Sequence, residues 1–187
     1  MAKAAKADAP ARDEPLAGER FANRRVSVLS LPPAARLALR ADGDGAAQCA
    51  EAVGFALPDR VGHSTSKGTR RAMKLGPDEY LLLDTKAAAR LAPALANPAV
   101  SAVDVSHRNV AFAVAGPGAA ETINAGCPRD LRNAAFPIGA CARTILGKVE
   151  IVLVRTGDDA YHVECWRSFA PYVFAMLRAG ARDAGHG

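Results

Sequence analysis

The sequence predicts an α+β fold made of two fused modules of the split βαβ kind, and three observations carry that prediction. Apolar residues alternate at the strand period of two in Val26-Ser27-Val28, in Leu37-Ala38-Leu39 and over Val110, Phe112 and Val114. Phe169, Tyr172, Val173 and Met176 recur instead three and four residues apart, as on one face of an amphipathic helix. Gly76-Pro77-Asp78-Glu79-Tyr80 matches Gly157-Asp158-Asp159-Ala160-Tyr161, and each copy runs on into a strand and then a capped helix. Many copies of such a unit would stack into a solenoid. Two copies make a pair of β-α-β-β-α-β-like modules with helices packed on sheets.

Taken in order, residues 1 to 23 mix Lys3, Lys6, Arg12 and Arg20 with acidic residues, alanine and proline, the composition of a disordered basic tail. Residues 24–187 then form a single α+β domain, with module one over about 26–100 and module two over about 101–180. Asp44 is placed to cap an alanine-rich helix that ends at Gly54. His63 to Lys74 reads as a basic loop running into a strand at Arg70 to Leu75. After the turn at Gly76-Pro77-Asp78-Glu79 comes the buried strand Tyr80-Leu81-Leu82-Leu83. Thr85 caps a helix with Leu91 and Leu95 on one face.

Val103-Asp104-Val105 opens the second module. Gly116-Pro117-Gly118 turns its strand into a short helix with Ala120 and Ile123 inward, stopped by Gly126 and Pro128. Val149 to Val154 and Ala160 to Trp166 form a hairpin, and Ser168 caps the last helix, where Pro171 is tolerated in the first turn.

The chain has 187 residues, of which half are apolar but only 5% aromatic, so a tight core with few large anchors is expected. Phe112, Phe136, Tyr161 and Phe169 are those anchors. A chain of this length hides roughly 70% of its unfolded surface and needs no staples. Cys49, Cys127, Cys141 and Cys165 lie too far apart for a CxxC metal or redox pair. With no apolar leader and no long apolar run, the expectation is a cytoplasmic protein with reduced thiols and no membrane contact.

The net charge of +5 raises the question of nucleic acid. Lys67, Arg70, Arg71 and Lys74 are the candidate phosphate contacts, but neither a recognised module nor stacking aromatics accompany them. Gly62 to Thr69 ends in Lys67-Gly68-Thr69, the wrong order for a phosphate-binding loop. Ser106 and His107 are adjacent on a strand end, so they point to opposite sides and suit a structural hydrogen bond better than a nucleophile and its base. Cys127 and Cys141 sit near Arg129 and Arg143, which are positioned to stabilise a thiolate. Buried, inert cysteines are nonetheless the favoured reading, since cysteine ranks among the most often buried residues.

Strand parity singles out one surface. Tyr161, Val163 and Cys165 share the face expected to meet the core, which leaves His162, Glu164 and Trp166 on the other, followed by Arg167. A tryptophan beside an arginine is the composition enriched at interface hot spots, so His162, Glu164, Trp166 and Arg167 are the expected interface residues. The alternative is that the last helix folds back over this face and buries Trp166.

Asp104-Val105-Ser106-His107-Arg108, followed by Val114-Ala115-Gly116-Pro117-Gly118-Ala119, resembles the folate-binding T-protein family of the glycine cleavage system over roughly Ser101 to Tyr161. In that family a glycine-rich turn and an aspartate pair follow, one aspartate being catalytic. Here the aligned stretch is Leu146-Gly147-Lys148-Val149-Glu150-Ile151, shorter and with Glu150 as its one carboxylate. General acid–base work needs a carboxylate within hydrogen-bond reach of its proton, and the shortened turn argues against one.

A further set of strings narrows the resemblance. Leu75-Gly76-Pro77-Asp78-Glu79-Tyr80-Leu81-Leu82, Gly126-Cys127-Pro128-Arg129-Asp130-Leu131, Phe136-Pro137-Ile138-Gly139, Cys141-Ala142-Arg143-Thr144 and Trp166-Arg167-Ser168-Phe169-Ala170-Pro171-Tyr172 together resemble the gamma subunits of heterotetrameric sarcosine oxidases, over about Val26 to Ala179. The resemblance implies alpha, beta and delta partner subunits, and a complex that oxidises sarcosine to glycine and passes the one-carbon unit to tetrahydrofolate. It implies that FAD, FMN, NAD, zinc and tetrahydrofolate sit on other subunits. For this chain it implies no catalytic, cofactor-binding or metal-ligating residue, and no activity in isolation. A related N-methyl amino acid dehydrogenase complex, a free-standing folate-binding or aminomethyl-transferring protein, and a basic nucleic-acid module are the competing functions.

Overall fold

The computed structural model describes residues 14–86 and 100–185, and these form two antiparallel sheets with helices on their outer faces. The first sheet runs β1 (Arg20–Ala22), β2 (Ser27–Ser30), β8 (Asn109–Ala115), β11 (Ala160–Trp166), β10 (Val149–Gly157) and β9 (Cys141–Leu146). The second runs β4 (Ser64–Lys67), β5 (Arg70–Lys74), β6 (Glu79–Asp84), β3 (Ala35–Arg40) and β7 (Ser101–Asp104). Helix α1 (Gly43–Val53) lies between β3 and β4, and α2 (Ala119–Asn124) between β8 and β9. Helix α3 (Ala170–Ala184) follows β11 after a 3-10 turn at Arg167–Phe169.

The α+β class and the paired modules are as expected, and the repeat extends beyond the turn that revealed it. Both halves follow the same path: a strand, a helix, then a three-strand meander whose last strand pairs back to the first. The orders β4-β5-β6-β3 and β9-β10-β11-β8 are equivalent. Each module therefore has one strand more than the sequence pattern suggested. The basic loop from His63 is in fact the hairpin β4–β5, with Ser64 opposite Met73 and Lys67 opposite Arg70.

The modules also exchange their leading strands. β2 precedes module one but pairs with β8 of module two, while β7 precedes module two but pairs with β3 of module one. Val103 and Asp104 thus belong to the second sheet rather than opening a separate unit. The exchange also corrects the tail. Within the stretch expected to be tail, Arg20–Ala22 pairs with Ser27–Leu29 as an edge strand on the outer side of β2. Residues 1–13 of the expected tail, and the helix expected at Leu91 and Leu95, lie outside the described residues.

Period-two patterning sorts the apolar residues into three layers. Phe112, Leu153, Tyr161 and Val163 face α2 and α3, meeting Ile123, Val173, Phe174 and Leu177. Leu37, Leu39, Tyr80 and Leu82 face α1 through Cys49 and Val53. Met73, Leu81, Leu83, Cys141, Val152 and Val154 fill the space between the sheets. Phe112, Phe136 and Tyr161 are buried anchors as expected, but Phe169 is 43% exposed because it sits in the 3-10 turn before α3.

Helix ends follow backbone conformation more than side-chain caps. Asp42, not Asp44, is the N-cap of α1; Asp44 lies in the first turn, where its charge favours the helix dipole. Gly54 closes that helix at φ 75°, its N–H reaching Ala50 and Glu51 carbonyls.

One charged pair crosses between the sheets. Arg36 on β3 points its Nε at Glu164 Oε2 on β11, 2.7 Å away, and both side chains are almost fully buried. Arg36 Nη1 also donates to the Ala34 carbonyl at 3.1 Å, and His162 Nε2 lies 2.7 Å from the other Glu164 oxygen. Burial pushes the Glu164 carboxyl up, but the His162 hydrogen bond and the Arg36 charge outweigh it and hold the group below its ordinary value.

Two outcomes are expected. Arg36→Met alone leaves a buried carboxylate without its cation and costs about 3–5 kcal/mol, whereas Arg36→Met combined with Glu164→Leu recovers most of that loss. Urea unfolding of these two variants and of Glu164→Leu alone measures this; strictly additive losses would show the two groups to be uncoupled. Because the folded pKa of Glu164 lies below the unfolded value of about 4.3, the pair contributes stability above that value and loses it as pH falls through the folded pKa. Glu164→Gln should accordingly flatten the acid limb of the stability profile.

Candidate functional site

The Asp104-Val105-Ser106 string is a clasp between β7 and β3. Asp104 Oδ1 accepts the Ser106 N–H at 2.8 Å, and Ser106 Oγ accepts the Arg36 N–H at 2.8 Å and lies 3.3 Å from the Arg36 carbonyl. Ser106 therefore holds the backbone of the residue that carries the inter-sheet cation, while His107 is exposed. This is the structural hydrogen bonding expected of Ser106.

The basic stretch has a comparable role. Lys67 Nζ donates to the Gly54 carbonyl at 2.8 Å and Arg70 Nη1 to the Val53 carbonyl at 2.7 Å, both at the C-terminal end of α1. Cations suit that end of a helix, where the carbonyls lack partners and carry partial negative charge. Arg70 Nε also pairs with Asp84 at 3.0 Å, and Lys74 Nζ reaches the Asp59 carbonyl at 3.1 Å. Of the candidate phosphate contacts, Lys67 and Arg70 tie the β4–β5 hairpin to the end of α1, and Lys74 ties it to the segment that follows that helix.

All four cysteines are buried and unpaired. Burial pushes the Cys141 thiol to about 11 and the Cys165 thiol to about 12, and raises Cys49 as well. Arg143 is turned away to an ion pair with Glu79 and lies 3.6 Å from Glu150, and Arg129 stacks over Phe136 with 5.5 Å to the ring centroid. Among the described residues no group of histidine, cysteine and acidic side chains has a metal-holding arrangement. Nor is any helix there long and apolar enough to cross a membrane.

The expected interface set divides. Tyr161, Val163 and Cys165 face the core beneath α3, as strand parity predicts. The opposite face is covered by the second sheet, not by the last helix. Glu164 is 1% exposed in its pair with Arg36, and His162 is tied to it, so these two are withdrawn from the outer surface. The correction has a simple cause: polar parity on a strand marks the far face of a sheet, and here a second sheet lies against that face.

Trp166 lies beyond the covered part and is 43% exposed. Its ring is 6.3 Å from that of the exposed Phe169, and the Arg108 guanidinium stacks 4.7 Å over it. Arg167 sends its N–H to the Arg108 carbonyl at 2.7 Å, and its Nη1 lies 3.5 Å from Glu14. Tyr172, also exposed, lies three residues after Phe169 on α3. Arg108 and Phe169 were missed from the sequence. Phe169 falls on the apolar stripe of a helix that begins only at Ala170, and Arg108 reaches Trp166 through a pairing of distant strands.

A chain with this paired-sheet architecture falls in the fold class of the T-protein. It superposes on the glycine cleavage system aminomethyltransferase T from Bartonella henselae with a TM-score of 0.61 at 16% identity, over 85% of this chain and 49% of that one. The chain belongs to the sarcosine oxidase gamma subunit family, whose model matches residues 38–183. The gamma subunit of sarcosine oxidase from Corynebacterium sp. strain P-1 is 32% identical over 138 residues, covering 71% of this chain and 68% of the relative. That from Corynebacterium sp. strain U-96 is 30% identical over 172 residues, with coverages of 86% and 82%. A chain of the heterotetrameric sarcosine oxidase from Corynebacterium sp. U-96, solved with pyrrole 2-carboxylate, matches with a TM-score of 0.78 and 26% identity over 89% of each chain.

The thiol environments set one expectation. At pH 8 a thiol near 11 or 12 is almost wholly protonated and unreactive, so iodoacetamide should modify Cys141 and Cys165 slowly in the native chain and fully in guanidinium. Rapid native labelling at either position, read by mass spectrometry, would contradict the buried, neutral state.

Proposed function

We propose that this chain works as the non-catalytic gamma subunit of a heterotetrameric sarcosine oxidase, alongside alpha, beta and delta chains. The complex demethylates sarcosine oxidatively to glycine and passes the one-carbon unit to tetrahydrofolate, with FAD, FMN, NAD and zinc held by the other subunits in the cytoplasm. The observation that carries the reading is the match along 89% of both chains to a member of such a heterotetramer. Coverage of that extent runs along most of both chains rather than over one shared module.

The exposed chemistry supports a docking role for Trp166 and Arg167. The exposed pair Trp166 and Phe169, with Arg108 stacked on the tryptophan and Arg167 next to it in sequence, has the composition of an interface hot spot. The shortened turn between β9 and β10 supports the absence of catalysis. Its two residues, Gly147 and Lys148, leave no room to present an aspartate pair, and Glu150 beyond it is exposed and close to Arg143.

Affinity purification of the tagged chain from its native lysate should return flavoprotein chains in fixed ratio, with a flavin absorption band and sarcosine-dependent turnover. The same chain expressed alone should be colourless and inactive. Recovery of the chain without flavoprotein partners, or turnover of a different N-methyl amino acid in place of sarcosine, would overturn the assignment. Trp166→Ala should weaken assembly by about 2 kcal/mol or more while the isolated chain melts nearly as the parent does.

A further inference from the structure

β4 ends one sheet and β9 the other, and the segments leading into them meet. His63 bridges Ala140, and the Gly62 carbonyl accepts the Cys141 N–H at 2.8 Å. At this join opens a cavity of about 260 Å³, with Val61, Lys74, Leu75, Arg129 and Arg143 among its walls. Three cations line it, and among the described residues no carboxylate does.

Only one of the three cations is neutralised. Arg143 pairs with Glu79 and lies 3.6 Å from Glu150. Lys74 Nζ donates to the Asp59 carbonyl at 3.1 Å and stands 5.0 Å over the Tyr80 ring, while Arg129 stacks on Phe136. Asp130, next to Arg129 in sequence, is taken by Arg132, whose Nη2 lies 2.6 Å from its Oδ2. The backbone of Arg129 is nevertheless fixed, since Asn124 Nδ2 donates to its carbonyl at 2.6 Å. A cation held in place before its partner arrives lowers the ordering cost of binding.

A cleft lined by one sign of charge attracts the other sign, so the occupant is an anion. Its source follows from the surroundings. The space lies just under the range of about 300 Å³ and above that suits metabolites. Val61 is an exposed apolar side chain in its wall, which a protein surface would cover and a small ion would not. Leu75 and Arg143 also line the inter-sheet cavity of about 80 Å³ to which exposed Trp166 contributes, so the site continues into the surface already assigned to docking. We propose that the cavity receives one aspartate or glutamate side chain of a partner subunit, its carboxylate lying between Arg129 and Lys74. The inference rests on the gamma-subunit reading and adds to it a second point of contact and the chemistry of the partner residue that fills it.

The test uses the co-expressed complex. A zero-length carbodiimide joins an ammonium to a carboxylate only where the two touch. The parent complex should therefore yield a Lys74 peptide linked to an acidic peptide of another subunit, read by mass spectrometry. This measurement does not depend on how any variant folds. Arg129→Glu, which reverses the charge, should weaken assembly by about tenfold or more, whereas Arg129→Lys, which keeps it, should stay within about threefold of the parent. Rising sodium chloride should weaken the parent's assembly more steeply than that of Arg129→Glu. Linkage of Lys74 only to carboxylates of its own chain, or assembly of Arg129→Glu equal to the parent's, would overturn the anchor and leave the gamma-subunit reading intact. Sodium phosphate that raises the melting midpoint of the lone parent chain but not of Arg129→Glu, while both assemble alike, would overturn it in favour of a free-anion site. Failure of the parent chain to form any complex would overturn both.

Discussion

The fold depends on how one buried ion pair is held. Arg36 and Glu164 are 128 positions apart in sequence and belong to different modules, yet their side chains meet at 2.7 Å between the sheets. Burying two charges costs several kcal/mol each, and only close geometry with further hydrogen bonds offsets that cost. The protein supplies both. Ser106 fixes the Arg36 backbone, the Ala34 carbonyl takes a second guanidinium N–H, and His162 binds the remaining carboxylate oxygen. An apolar pair of similar size would fill the same space. What the ion pair adds is register: a one-residue slip of β3 or β11 would move either charge to the wrong face and leave its partner buried alone.

Strand exchange makes this register consequential. Because β2 completes the sheet of module two and β7 that of module one, neither module closes its sheet from its own segment. The repeat in the sequence suggests two units side by side, but the exchange makes them one cooperative body. Close backbone approaches reinforce the junction. Gly116, at φ 118°, passes so near the Arg25 carbonyl that any side chain there would collide with it, and Gly118 donates to the same carbonyl at 3.1 Å. Arg25, just before β2, in turn reaches the last turn of α3 through the Ala184 carbonyl at 2.9 Å. The N-terminal strands are thereby locked between the elements of module two.

The central strands were legible in the sequence and the edge strands were not, for a physical reason. β8 and the β10–β11 hairpin are buried on one or both faces, so Val110, Phe112, Val114 and the run through Val154 carry a clear period. β4, Ser64-Thr65-Ser66-Lys67, is a polar sheet edge with no buried residue, and β9 alternates only loosely between burial and solvent. Edge strands are expected to lack hydrophobic patterning, since water takes one side of them. The interface reading shows the same limit. Parity placed His162, Glu164 and Trp166 on one face correctly, but only the second sheet's position decides that Glu164 is buried and Trp166 is not. Arg36 gave no signal at all, because its partner is defined solely by the packing of two distant strands.

The site's chemistry follows from how the β9–β10 turn is held. In the resembling T-protein family this region presents a catalytic carboxylate, which requires a turn long enough to lift it from the sheet. Here Leu146 pairs directly with Val149, leaving Gly147 and Lys148 to reverse the chain, with Gly147 at φ 60°. Tyr172 of α3 lies across the turn: its hydroxyl sits 3.3 Å from the Lys148 amide, and a side chain added at Gly147 would strike it. Left-handed backbone at Gly147 and the absence of a Cβ are both needed for that closure. The same helix that clamps the turn with Tyr172 begins just after Phe169, whose ring lies 6.3 Å from that of exposed Trp166. In the proposed gamma-subunit reading, this packing exchanges the room that a catalytic carboxylate needs for a rigid apolar surface offered to another chain.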